Sequence, residues 1–492
     1  MAPQLPPEII SMILEYALPP ATIPSSALDV HFSRTRSQVD DKSLSTFVSA
    51  AGRNWLGFAR NMLWHDVHVG STRRAEKLIE ALSLALPRTP ESKGYLVPLV
   101  HRLEFDIRER PLQEVQLQGS TKAHLDGVLP VQIAQLATLL PRLDSLSINV
   151  SVPGGWLSQT SIVESFVRFV GRPEFRHLEI TSTGLGFRNA LSIFSESPKL
   201  ETLKLRGLQP RWTFLTSTGG MVRASEFTNR PKPAIPYPFS STLTKLVLWE
   251  CRMDTQEFVD LCSSLSAVKT LVIHLLGTEF LGFTTTLPST SSILVTSLAP
   301  LIGQLEHFHL VLPLSAANSP PPFPLDALST HFSSSLKSLI LGGPSLFSLP
   351  TFFNNLINLD TGFLPRSITF TQCTFSQRDA RSPSHGLKAQ DLVKALDENW
   401  TTSLEVLDVE GMTDENEGEA AGEKYWDSNE VEKLRDKVRE VNESRKEEGK
   451  KELVLRYDEA LEEREREARE WEERRRGRNR GGRGRARGGG RR

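Results

Sequence analysis

The sequence predicts an α/β repeat protein: three short helices at the amino end, an irregular array of strands alternating with helices, then a charged helix and a disordered tail. Three observations predict it. First, one phrase recurs along the chain, an apolar residue, two variable positions, Leu, one variable position and a second apolar residue. Second, amphipathic stretches at helical spacing lie between the copies of that phrase. Third, several of those stretches end on Pro or Gly (Pro141, Gly171, Pro198 and Gly303) just before the next copy, which is helix punctuation.

The first 70 residues read as the helical domain. Leu5-Pro6-Pro7-Glu8 opens a helix, because a proline in the first turn lacks only an N–H that had no partner and Glu8 faces the positive helix end. Ile9, Ile10, Ile13, Leu14 and Leu18 then share one face, and Pro19-Pro20 ends the helix. A second helix is expected over 44–51. A third is expected over 53–64, with Trp55, Phe58, Ala59 and Met62 on one side, after which 66–70 turns extended.

The repeat body is expected over 71–457. Its phrase appears as Leu143-x-x-Leu146-x-Ile148, Phe175-x-x-Leu178-x-Ile180, Leu200-x-x-Leu203-x-Leu205 and Leu243-x-x-Leu246-x-Leu248. Val268-x-x-Leu271-x-Ile273, Leu305-x-x-Phe308-x-Leu310, Leu336-x-x-Leu339-x-Leu341 and Leu404-x-x-Leu407-x-Val409 follow. Val100-x-x-Leu103-x-Phe105 and the segment around Ile368 and Phe370 are weaker members. Helices are expected over 131–140, 162–170, 190–194, 256–265, 293–302 and 391–400. No unit buries its own apolar edge, so stacking of neighbours makes the core. The interval from Leu200 to Leu243 is long, and 209–240, with Gly219-Gly220 and Pro231, Pro233, Pro236 and Pro238, reads as an inserted, partly polyproline-like loop. A smaller insertion covers 315–324, with three consecutive prolines. Such loops either touch a target or are tolerated surface excursions. A capping helix begins near Asp427 and Glu430 with Val431, Leu434, Val438 and Val441 as its stripe, and Leu453-Val454-Leu455 adds a final strand.

Residues 458–473 are dense in Glu and Arg at spacings of three and four, which favours a solvated helix. Residues 474–492 hold ten Arg and no acid; removing those ten charges from the net −1 leaves the rest of the chain at −11. That end is Arg and Gly, cannot bury a core and reads as disordered. It resembles an RGG box, with Arg478, Arg480, Arg483, Arg485 and Arg487 as candidates to pair with phosphates and stack on bases of RNA. Nuclear import, arginine methylation or simple solubilisation are the alternative uses.

Composition excludes several classes. Three cysteines without a C-x-x-C argue against a disulfide framework or a structural zinc site and fit a reducing compartment. No secretory leader and no apolar run long enough to cross a bilayer is present, so a cytoplasmic or nuclear protein without membrane contact is expected. No phosphate loop, H-E-x-x-H or G-x-S-x-G pattern occurs. His307 and His309 share a strand face but have no third ligand nearby in sequence, so no metal, cofactor or catalytic residue is expected and the chain reads as a binding protein, not an enzyme.

The wording of the amino end, Leu5-Pro6-Pro7-Glu8-Ile9-Ile10 with Ile13-Leu14, then Gly52-Arg53-Asn54-Trp55-Leu56 with Leu63-Trp64-His65-Asp66-Val67, resembles the F-box family in the form frequent among fungi. The recurring phrase resembles the leucine-rich repeat. The F-box resemblance implies a Skp-type adaptor docking on Leu5, Pro6, Ile9, Ile10, Leu14 and Trp55, and through it a cullin-based ubiquitin ligase. The repeat resemblance implies a concave sheet for a protein target, and it makes Cys251 and Cys373, three residues past Leu248 and Phe370, structural residues at the strand exit. Alternation along each strand then selects the outward residues. Lys204, Arg206, Lys245, Trp249, His274, His307 and His309 are the target-binding candidates, with Trp249 as an exposed anchor in mildly basic surroundings that suit an acidic or phosphorylated target. Two readings follow: a ubiquitin-ligase substrate receptor, or an RNA-associated repeat scaffold acting through its Arg/Gly tail, with the amino-terminal helices only capping the repeats.

Overall fold

A computed structural model describes residues 64–84, 100–108, 131–151, 166–182, 197–208, 214–215, 221–222, 241–251, 255–275, 297–311, 328, 331–342, 365–373, 389–397, 404–411 and 428–457. The expected amino-terminal helices with Leu5, Pro6, Ile9, Ile10, Leu14 and Trp55, the helix over 190–194, the 315–324 insertion, the charged helix over 458–473 and the tail with Arg478, Arg480, Arg483, Arg485 and Arg487 lie outside the described residues. The chain divides into two compact units, Met1–Ser319 and Pro320–Arg492.

In the first unit, the strands are β1 (Asp66–Val69), β2 (Arg102–Arg108), β3 (Ser145–Ser151), β4 (His177–Ser182) and β5 (Thr202–Arg206). After the two short strands β6 (Phe214–Leu215) and β7 (Met221–Val222) come β8 (Lys245–Cys251), β9 (Thr270–Leu275) and β10 (His307–Val311). All but β6 and β7 lie side by side in chain order in one sheet, and every described pairing among them is parallel. Parallel neighbours require a crossover. Those crossovers carry α1 (Thr72–Leu84), the helical stretches 131–139, 166–170 and 297–302, and α2 (Thr255–Ser264). Helix α1 was not legible in the repeat phrase. Its amino end is capped by Ser71, whose Oγ accepts the Arg74 N–H at 3.2 Å, and it buries Ala75, Leu78 and Leu82.

The stack has a constant register. Leu103, Leu146, Leu178, Leu203, Leu246, Leu271 and Phe308 face one another across successive strands, as do Phe105, Ile148, Ile180, Leu205, Leu248, Ile273 and Leu310. Val100, Leu143, Phe175, Leu200, Leu243, Val268 and Leu305 supply the apolar residue that opens each phrase, and all three sets are buried. From β2 to β9 the residue just before each strand of the large sheet joins the units through its carbonyl, which accepts two N–H groups from the next unit. The His101 carbonyl takes Asp144 at 2.9 Å and Ser145 at 3.1 Å, and the Lys269 carbonyl takes Glu306 at 2.8 Å and His307 at 3.0 Å, with Asp144, Arg176, Glu201 and Thr244 doing the same between them. Several neighbouring side chains in this pre-strand slot also pair: the His101 ring lies 3.3 Å from the Asp144 carboxylate, and ion pairs join Arg176 to Glu201 and Lys269 to Glu306 at 2.8 Å. These exposed pairs are worth at most about 1 kcal/mol each, so they select register more than they stabilise.

Within the 209–240 insertion, Phe214 pairs with Val222 and Leu215 with Met221 in a short antiparallel ladder.

In the second unit, β11 (Ser338–Gly342), β12 (Ser367–Cys373), β13 (Val406–Gly411) and β14 (Val454–Tyr457) form four successive parallel strands. Helix α3 (Ala389–Asp397) crosses from β12 to β13, and α4 (Ser428–Glu447) from β13 to β14. Helix α4 turns Leu434, Val438 and also Arg445 inward. The Arg445 guanidinium donates to the Leu404 carbonyl at 2.6 Å and the Lys451 carbonyl at 3.0 Å. Asn442 clasps Leu453, accepting its N–H at 2.7 Å and donating to its carbonyl at 3.0 Å. These polar clasps were not visible as a stripe, yet they tie the capping helix to the last strand. Gly449, at a φ of 68°, lets the chain leave the helix in the left-handed region.

Because each leucine is buried by the neighbouring units, Leu246→Ala in the central strand β8 is expected to lower stability by ~2–5 kcal/mol in urea unfolding. Leu84→Ala, at a position 66% exposed, should change it by less than about 0.5 kcal/mol.

Candidate functional site

The seven candidate residues fall on four adjacent strands of the first unit and align in three rungs across it. Thr202, Lys245, Thr270 and His307 form the first rung. The second runs His68, Glu104, Ser147, Glu179, Lys204, Val247, Val272 and His309. The third runs Asp106, Asn149, Thr181, Arg206, Trp249, His274 and Val311. Strand alternation places all of them on the face opposite the leucine columns.

The face is more covered than the sequence suggested. Lys204 and His309 are each only 6% exposed, and Val247 and Val272 are sealed. Arg206, Lys245, Trp249, His274 and His307 are half-buried. The cause is crowding: neighbouring strands lie about 4.8 Å apart, so long side chains in the middle rung lie over one another. Trp249 is therefore partly shielded, not exposed.

The charge is also graded instead of mildly basic. Glu104, Asp106 and Glu179 occupy the outward positions of β2 and β4, and all three are largely covered. Ser147 donates to Glu179 at 3.3 Å, the Lys204 ammonium lies 4.0 Å from the same carboxylate, and His68 lies 3.8 Å from Glu104. A buried ionised pair survives only with such partners, since desolvation is costly. From β8 onward the face turns aromatic and apolar, with Trp249 edge-on to His274 at 4.2 Å and to His309 at 6.2 Å. Glu104 and Asp106 were missed because their repeat was a weak match; the same alternation would have found them.

A bulge shapes the rim. The pairing of β8 with β9 shifts register between Trp249 and Cys251, and Glu250 between them adopts a φ of 53°, in the left-handed region. The neighbouring turn residue Gly207 has a φ of 69° and donates its N–H to the Trp249 carbonyl at 2.9 Å. This places the Glu250 carboxylate 3.0 Å from the Arg206 guanidinium. The Cys251 thiol donates to the Leu205 carbonyl at 3.2 Å, and burial pushes its pKa up to about 12, so it holds backbone and is not a nucleophile. Cys262 is likewise buried, with its pKa raised by burial. A matching register shift between Phe370 and Cys373 occurs in the second unit.

Burial pushes the His309 pKa down to about 4, with repulsion from His274 adding to it, and burial also lowers those of His274 and His177. Among the described residues no three His, Cys, Asp or Glu side chains converge to hold a metal ion, and no helix is long and apolar enough to cross a membrane.

No family model matches the chain, and no curated protein matches it. Among solved structures it is similar to one described as the crystal structure of the Rad7 and Elc1 complex in yeast, at 15% identity over 76% of this chain and 94% of that one, with a TM-score of 0.33.

The depressed His309 pKa fixes the sign of an acid response. Above pH 6.5 the group is neutral folded and unfolded, and the full stability is present. As pH falls from 6.5 toward 4 the unfolded chain takes up a proton that the folded one refuses, and about 3 kcal/mol is lost. Urea midpoints at pH 7 and pH 4.5 should therefore lie closer together in His309→Leu than in the wild type.

Proposed function

We propose that this chain is the substrate-recognition subunit of a Skp–cullin–F-box ubiquitin ligase, working in the cytoplasm or the nucleus. Its amino-terminal helices hold the adaptor through Leu5, Pro6, Ile9, Ile10, Leu14 and Trp55. Its repeat face holds a protein target through Lys204, Arg206, Lys245, Trp249, His274, His307 and His309. The chain performs no chemistry of its own. It brings a target lysine near the charged ubiquitin carrier, so its contribution to rate is proximity.

The observation that carries this reading is the third rung. Arg206, Trp249 and His274 stand side by side on β5, β8 and β9, half-buried and backed by a rigid parallel sheet. A partly covered Trp beside an Arg is the composition of a protein-binding hot spot. The Leu-Pro-Pro-Glu-Ile-Ile and Gly-Arg-Asn-Trp-Leu wording ahead of the repeats supplies the other half of a receptor.

A second reading, an RNA-associated scaffold, is favoured by the ten arginines of 474–492. One experiment separates the two: recovery of a Skp-type adaptor with the full chain. Leu5→Asp with Ile9→Asp is expected to lower recovery at least tenfold, because two charges would be buried at the interface. Removal of 474–492 or treatment with ribonuclease should leave recovery unchanged. Equal recovery by wild type and the double variant contradicts the receptor reading, and loss on ribonuclease treatment favours the scaffold.

A further inference from the structure

We infer that Glu250 sets the charge selectivity of the target face: paired with Arg206 beside Trp249, it turns acidic and phosphorylated segments away and leaves the place on Trp249 to an uncharged side chain of the target. The inference rests on the receptor reading and names the chemistry that this face selects.

Among the described residues Glu250 is the only non-glycine with a positive φ, at 53°. Contacts on both sides hold it there. The Gly207 N–H donates to the Trp249 carbonyl at 2.9 Å, and the buried Cys251 thiol donates to the Leu205 carbonyl at 3.2 Å. The register shift between Trp249 and Cys251 is thus pinned around a left-handed residue, a conformation that Gly or Asn enters more readily than Glu. The Glu side chain offsets little of this cost. Its carboxylate meets the Arg206 guanidinium at 3.0 Å, but the two side chains are 30% and 40% exposed, and water weakens such a pair. Stability therefore does not account for an acid at this position, and a strained residue on a binding face points to function.

Charge supplies that function. Arg206 stands opposite Trp249 in the register of β5 and β8, and His274 stands opposite it on β9, edge-on to the indole at 4.2 Å. Glu250 follows Trp249 in the chain, and its charge reaches both Arg206 and the His274 ring. An anion arriving at Trp249 meets this carboxylate, and a cation meets the guanidinium. An uncharged side chain meets neither opposition and covers the half-buried indole. Lys204 does not tip the balance, since its ammonium lies 4.0 Å from Glu179. Removing the Glu250 carboxylate raises the net charge beside Trp249 by one, and the same surface then favours carboxylates and phosphates, which Arg recognises well.

The test uses the immobilised full chain and nonapeptide pools randomised at every position except the centre, fixed as Leu, Lys, Glu or phosphoserine. Wild type should retain the Leu pool above the other three. Glu250→Gln keeps the length of the side chain, and Glu250→Asn suits the left-handed backbone. Each should raise the Glu and phosphoserine pools about fivefold, the factor that a partly exposed charge contact supplies. Adding Arg206→Gln should remove that gain, and the urea midpoint of Glu250→Asn should equal or exceed that of wild type. The inference is overturned if wild type prefers a charged pool, if neither variant changes the ranking, if the gain survives Arg206→Gln, or if no pool is retained by any of these proteins. A lower Glu250→Asn midpoint with an unchanged ranking would make Glu250 a structural residue. Adaptor recovery is read separately, so its failure alongside the expected shift in pools would sink the ligase reading and leave this one standing.

Discussion

One carbonyl per repeat sets the geometry of everything else. The residue before most strands offers its C=O to two successive N–H groups of the next unit, as His101 does to Asp144 and Ser145 and Glu201 to Thr244 and Lys245. The link repeats through the first unit with nearly constant distances, and in the second unit Arg366 makes it to Glu405 and Val406. It fixes the strands in register, and the register lines up the leucines. A one-residue slip would turn every Leu outward, so this backbone contact and the apolar columns enforce each other. Neither holds in a single repeat: the apolar edge of one unit is closed only by the next.

The same register dictates the polar face. Strands fixed about 4.8 Å apart force outward residues into rungs whether or not their charges agree. The chain resolves this along the middle rung by pairing. Glu179 takes both the Ser147 hydroxyl and the Lys204 ammonium, and His68 stands beside Glu104. Past Lys204 the rung has no further charge and continues as Val247, Val272 and a neutral His309. A charged half of the rung thus adjoins an uncharged one.

Much of this was legible in the residues, for a simple reason. Phrases such as Leu246-x-Leu248 and Leu271-x-Ile273 state both the strand and its buried face, because alternation couples the two. The helices flanking them were marked by spacing and by Pro or Gly at their ends. What escaped was set by contacts distant in sequence. The exposure of Lys204 and His309 depends on side chains of neighbouring strands. The clasp of Asn442 on Leu453 and the inward turn of Arg445 hold a cap together with groups that hydropathy reads as solvent-facing. The Glu250 backbone, left-handed without being Gly, exists because the bulge before Cys251 demands it. The pairing of β6 with β7 escaped because two-residue strands leave no periodicity to read.

The account assigns adaptor and target to different parts of one chain, which hydrogen exchange on the full-length protein can test directly. Added Skp-type adaptor should slow amide exchange within residues 1–63 and leave the peptides of β5, β8, β9 and β10 unchanged. Slowed exchange in those four strands, with none in 1–63, would contradict the division of labour on which the account stands.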